Sequence, residues 1–121
     1  MDTRKIVVLE DVALITCIVQ RGVADAIVQA ARDAGAQGAT VHYAKGMGIR
    51  ERLGILGVAV EVQKEVIQVV ASSEQVDRVF EKMYLAGNLD TPGMGIIFMN
   101  HLDRAATYIP PEVLASVQKT A

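Results

Sequence analysis

The sequence predicts an α+β domain built from two strand–helix–strand halves. Three observations predict it: an apolar run of strand length over 12–20, a helical-period stretch closed by Gly35, and the same succession of elements again between Val62 and Met99. The 121 residues fit one domain. Its core is expected over about 12–104, with a loop over 46–60 and a tail over 105–121.

The elements follow in order. The stretch from Lys5 to Leu9 is short and β-branched, and reads as an extra strand or an ordered arm. Val12 to Gln20 is the first long strand, broken by Arg21-Gly22. Val23, Ala24, Ile27, Val28, Ala30, Ala31 and Ala34 then fall at helical spacing, with Asp25, Gln29, Arg32 and Asp33 on the other face. Gly35 is the expected left-handed residue just past that helix. Thr40 to Ala44 is a second strand, and Val62 to Ala71 a third. Ser72 and Gln75 stand at capping-box spacing before an apolar stripe of Val76, Val79, Phe80 and Met83, which Gly87 closes. A loop rich in Gly, Pro and Asp leads to a fourth strand from Gly95 to Met99. Pro110-Pro111-Glu112 opens a short C-terminal helix.

This order matches the split βαβ, ferredoxin-like arrangement (βαββαβ), with an antiparallel four-stranded sheet and both helices on one face. Two helices cover one face only, so the strands of a lone subunit should alternate apolar and polar. Val12–Val19, Val69-Val70-Ala71 and Ile96-Ile97-Phe98-Met99 do not alternate. The second face therefore needs a cover. Other copies of the same sheet supply one, and the alternative is the N-terminal segment folding back over that face.

Composition narrows the function. Hydrophobic residues make up 51% of the chain, more than a lone subunit of this size readily buries. The formal net charge is −2, so bulk charge does not indicate a nucleic-acid partner. The N-terminal stretch lacks the apolar core and cleavage site of a signal peptide, and one cysteine cannot form an internal disulfide. A cytoplasmic setting is the expectation.

Catalytic and metal signals are sparse. Cys17 lies mid-strand and reads as an inert buried thiol. His42 and His101 belong to no close ligand pair, so no metal site is called. The acids Asp25, Asp33, Glu74, Asp77 and Glu81 read as solvated helix faces. No nucleophile–base set is present in the pattern, and the chain is not expected to be an enzyme. Two glycine turns say more. Gly46-Met47-Gly48 ends one strand and Gly93-Met94-Gly95 begins another. Such turns let backbone N–H groups approach an anion. Between them, Arg50 and Arg52 stand among Leu53, Ile55 and Leu56, a mixture suited to contacting a partner protein.

Taken in order, these pieces resemble the PII signal-transduction family (nitrogen regulatory protein P-II), in its divergent PII-like branch. The resemblance runs from about Leu14 to Arg104. It rests on Gly35-Ala36-Gln37-Gly38-Ala39-Thr40-Val41 entering the second strand, Lys45-Gly46-Met47-Gly48 entering the family's T-loop, Val69-Val70-Ala71 with Gln75-Val76-Asp77, and Gly93-Met94-Gly95-Ile96-Ile97-Phe98 at the B-loop and fourth strand. The resemblance implies a homotrimer with sheets facing inward and a small effector, an adenine nucleotide such as ATP, ADP or AMP or another anion, held between subunits. It assigns effector contacts to Gly38, Ala39 and Thr40, to Gly46, Met47, Gly48 and Arg50, to Lys64 and Val69, and to Gly93, Met94 and Gly95. It implies control of a partner, a membrane transporter or a metabolic enzyme in nitrogen or carbon metabolism, through a shortened loop carrying Arg50, Arg52, Leu53, Ile55 and Leu56.

The departures from that pattern matter equally. Residues 49–60 contain no Tyr, Ser or Thr, so the family's modified tyrosine has no counterpart. The family's magnesium-site glutamine falls at Arg50. Its B-loop acid and phosphate-binding lysine fall at Met94 and Ile96, and its paired C-terminal arginines fall near Thr107 and Ile109. Weak or absent ATP binding follows, with ADP, AMP, a cyclic nucleotide or another small anion favoured. The competing readings are a structural or metal-binding trimer that has lost nucleotide sensing, using His42, His101 and Cys17, and a small ferredoxin-like enzyme.

Overall fold

The odd and even residues of the first long strand have different surroundings, and the whole architecture follows from that division. The structure is a computed structural model that describes residues 6–46 and 62–113. Its elements are β1 (Val8–Leu9), β2 (Val12–Gln20), α1 (Ala24–Asp33), β3 (Thr40–Gly46), β4 (Val62–Ser72), α2 (Val76–Ala86), β5 (Gly95–Leu102) and β6 (Ala105–Ala106). The four long strands form one antiparallel sheet in the order β3–β4–β2–β5. Ala13, Ile15, Cys17 and Val19 of β2 and Ile67, Val69 and Ala71 of β4 pack with Ile27 and Ala31 of α1 and Val79 and Met83 of α2. Both helices therefore cover the face carrying the odd-numbered residues. The even-numbered residues look the other way.

The uncovered face exposes large apolar side chains. Val70, Ile96 and Phe98 stand on it with 49%, 57% and 41% of their surfaces exposed. Residues 6–9 do not pair with it. β1 pairs instead with β6, Val8 opposite Ala106 and Leu9 opposite Ala105, in a separate two-stranded ribbon. Among the described residues this speaks against the fold-back alternative and leaves Val70, Ile96 and Phe98 open.

The ends of the helices explain their lengths. Past α1, Gly35 takes φ +112°, its N–H donates to Arg32 C=O at 3.0 Å, and Ala36 N–H reaches back to Ala31 C=O at 2.9 Å. This is the Schellman pattern expected of a left-handed glycine. Arg78 of α2 adds Nε and Nη2 hydrogen bonds to Ala34 C=O at 3.0 and 2.5 Å, satisfying another carbonyl at the same end. In α2 the left-handed residue is Asn88 at φ +52°, one position later than the sequence suggests. Gly87 has an ordinary φ of −86°, and a Cβ there would press on Ile27 and Leu89. The capping box expected at Ser72 and Gln75 does not form. Ser72 still pairs with Val12 in the sheet, and Gln75 is the N-cap with no side-chain cap bond.

The start of α1 is held from a distance. Glu65 of β4 is 7% exposed, and its Oε1 accepts the N–H groups of Gly22, Val23 and Ala24 at 2.5, 2.9 and 3.2 Å. A carboxylate at this position satisfies orphan donors and complements the helix dipole. The first residues of the C-terminal helix are described, with Val113 N–H donating to Pro110 C=O at 3.0 Å.

Candidate effector cleft

Strand parity decides which side chains a ligand on the open face can meet. Thr40 of β3 lies opposite Gln68 of β4, and Leu14 of β2 lies opposite Val70. With Gly38 and Ala39 these residues line a cavity of about 510 Å³. A Cβ at Gly38 would meet nothing within 4 Å, so the backbone there has room for a side chain. The side chains offer one hydroxyl, one carboxamide and two apolar walls, and none of the lining residues is charged. Such a lining suits a flat polar ring better than a phosphate.

Of the residues expected to touch an effector, Gly38, Ala39 and Thr40 are in this cavity. Val69 is not among its lining: its side chain is buried under the helices, and Val70 takes the place in the cavity. The non-alternating run Val69-Val70 gave no parity to choose by. Gln68 also lines the cavity, and its signal in the sequence is a lone polar side chain within the apolar run 66–71. Lys64 shares the open face but stands four residues from Gln68, roughly 13 Å along the strand. Met47, Gly48, Arg50, Arg52, Leu53, Ile55 and Leu56 lie outside the described residues.

Gly46 and Gly95, one from each glycine cluster, sit at the same end of the sheet on opposite edges. Gly46 ends β3 opposite Val62, and Gly95 begins β5 opposite Val19. Three strand spacings separate those edges, about 14 Å. The second turn is fixed to the sheet. Gln20 Nε2 donates to Gly93 C=O at 2.6 Å, and Met94 N–H donates to Thr91 C=O at 3.2 Å. At Gly95, φ is +146°, and a Cβ would collide with the Ile18 carbonyl oxygen. Only glycine fits there.

Charge around the cavity is asymmetric. Val70 also walls a second cavity of about 530 Å³, whose lining includes Glu10, Asp11 and Glu74 and no Lys or Arg. A phosphate chain directed that way meets like charge. The groups named for metal or nucleophilic chemistry do not converge within a subunit. His42 is on the open face of β3, His101 on the helix side of β5, and Cys17 in the core. Burial pushes the Cys17 thiol up to about 11. Among the described residues no group of three His, Cys, Asp or Glu side chains is placed to hold a metal ion.

Comparison with known proteins adds the family. The model of the nitrogen regulatory protein P-II family matches residues 12–109, most of the chain. The chain belongs to the P-II family. Among solved structures, Arabidopsis thaliana PII bound to citrate superposes with a TM-score of 0.62 at 20% identity, covering 78% of this chain and 79% of that one. The likeness confirms the ferredoxin-like fold. A comparison with curated proteins returned no match. P-II proteins are regulatory rather than catalytic, and they form trimers that bind small effectors and partner proteins. In this P-II subunit no helix among the described residues is long and apolar enough to cross a membrane.

Proposed function

We propose that this P-II subunit assembles as a homotrimer whose inter-subunit clefts sense an adenine nucleotide through its base more than its phosphates, and that residues 49–60 carry the signal to a partner protein. One observation carries the reading. Val70 belongs both to the uncovered apolar face and to the wall of the cavity lined by Thr40 and Gln68. Whatever covers the face also closes the cavity. In a family of trimers, that cover is a neighbouring subunit.

The neutral lining sets the ligand preference. Each charged hydrogen bond missing from a phosphate site costs about 1.5–3 kcal/mol, one to two decades in Kd. The positions where the family pattern places phosphate-binding cations hold Ile96, Thr107 and Ile109. A triphosphate therefore gains little over a monophosphate here. The partner is a metabolic enzyme or a transporter, contacted through Arg52 and its apolar neighbours.

Titration calorimetry with ATP, ADP, AMP and adenosine on the wild type and on Gly38→Leu tests this. The expected result is AMP or ADP binding at least as tightly as ATP, with binding lost in Gly38→Leu and folding unchanged. ATP binding a hundredfold tighter than AMP, or undiminished binding in the variant, would overturn it.

A further inference from the structure

We propose that the β1–β6 ribbon is a clasp between copies, its apolar side covered by a neighbouring copy of the same chain in the trimer. The inference rests on the trimer reading above and adds a second contact to it.

The ribbon is too small to account for itself. Each of its strands is two residues long, and a two-stranded unit of that size is not stable in water without something to pack against. Yet among the described residues two of its flanking side chains stand in the open. Ile6 is 79% exposed and Tyr108 is 80% exposed, the highest values among the exposed large hydrophobic residues described. With Val7, Ala106, Thr107 and Ile109 they line a hollow of about 420 Å³, open to solvent in the single subunit. Large side chains exposed around a concave apolar surface mark an interaction site.

Two features choose the occupant. The ribbon is continuous with the open sheet face: β1 runs into β2 through Glu10 and Asp11, and β6 leaves β5 through Asp103 and Arg104. The ribbon leaves the sheet at its Val12–Leu102 end, and Leu9 of β1 lines one cavity with the exposed Val70 of the open face, so a copy covering Val70 arrives beside it. Residues 6–9 and 105–109 contain no charged side chain, so a neighbour covering them desolvates no ion. Within a ring the contact is heterologous, each ribbon reaching the next copy in the same sense.

The full-length chain is compared with Ile6→Ser/Tyr108→Ser and with Phe98→Asp by sedimentation across a concentration series. Because Ile6 and Tyr108 are already exposed in the single subunit, their replacement leaves the subunit fold intact, and protection of Cys17 from a thiol reagent checks this. The expected result is a trimer for the wild type, monomers for Phe98→Asp, and a trimer for the ribbon variant that dissociates at concentrations at least tenfold higher. A wild-type trimer with unchanged dissociation in the ribbon variant overturns the clasp alone. A monomeric wild type overturns the trimer reading and the clasp with it. If the double variant exposes Cys17, Tyr108→Phe, which removes only the hydroxyl, and Tyr108→Ala are compared instead. The clasp then requires weaker assembly in Ala and not in Phe.

Discussion

Replacing Glu65 tests whether a single carboxylate on β4 holds the start of α1. Its Oε1 accepts from Gly22, Val23 and Ala24, and only the Ala24 N–H is fully buried among the three. Leaving that donor without an acceptor costs about 1–3 kcal/mol. The other two N–H groups regain water, and each exchange loses about 0.5–1.5 kcal/mol. The lost charge at a helix N-terminus adds about 0.3–1 kcal/mol. These contributions overlap, and Glu65→Ala should cost about 3 kcal/mol. Glu65→Gln keeps an acceptor oxygen of the same reach and loses the charge, so about 1 kcal/mol is expected. Urea titration at one fixed protomer concentration reads the difference, because dissociation would otherwise shift the midpoint. Native-state hydrogen exchange at residues 22–24 should quicken in the same order. An Ala variant within about 0.5 kcal/mol of wild type would refute the reasoning. So would a Gln variant as damaging as Ala, since size and burial would then outweigh the hydrogen bonds.

Two further predictions concern the sheet. The Cys17 thiol is pushed from 9.0 to about 11 by burial, so the unfolded chain ionises first. The stability that the protonated thiol contributes is complete below pH 9 and is lost as the pH rises toward 11, by about 1.4 kcal/mol per pH unit. Urea midpoints through that window should fall more steeply for wild type than for Cys17→Ala, and equal slopes would contradict the assignment. Gly95→Ala forces a Cβ against the Ile18 carbonyl oxygen at a left-handed φ, and should cost about 2–3 kcal/mol or more while displacing the Gly93–Gly95 turn. A variant as stable as wild type would mean that the backbone there relaxes freely.

Much of the fold was legible because its signals are local. The apolar run of β2, the helical period closed by Gly35 and the repeated element order each lie within a dozen or so residues. Gly35 even adopts the conformation its position suggested. What was missed depends on distant partners. Gln63-Lys64-Glu65 reads as the polar start of a strand, and nothing within it says that Glu65 will meet a helix start more than forty residues earlier in the chain. The pairing of β6 with β1 has the same origin, since Ala105-Ala106 carries no strand signal of its own. Ser72 and Gln75 mislead in the opposite way. Their spacing satisfies the capping-box rule, but pairing with Val12 keeps Ser72 in the sheet. At the cleft, Gly38, Ala39 and Thr40 line the cavity with Val70, while Val69 is buried under the helices, a division that two adjacent valines do not announce.

The strand order has a consequence for how the chain is made. β2 and β3, the two strands of the first half, are not neighbours, because β4 lies between them. The other partner of β2 arrives later still, since Val12 pairs with Leu102. The first half is therefore a unit of sequence order and not a unit that can close a sheet. A nascent chain that has emerged only through β3 holds its central strand with both edges empty. Sheet closure waits for nearly the whole molecule, and contacts of such long sequence separation slow folding. During synthesis the apolar run from Val12 to Val19 stays without a strand partner until β4 emerges, and it is where a holding chaperone would be needed most.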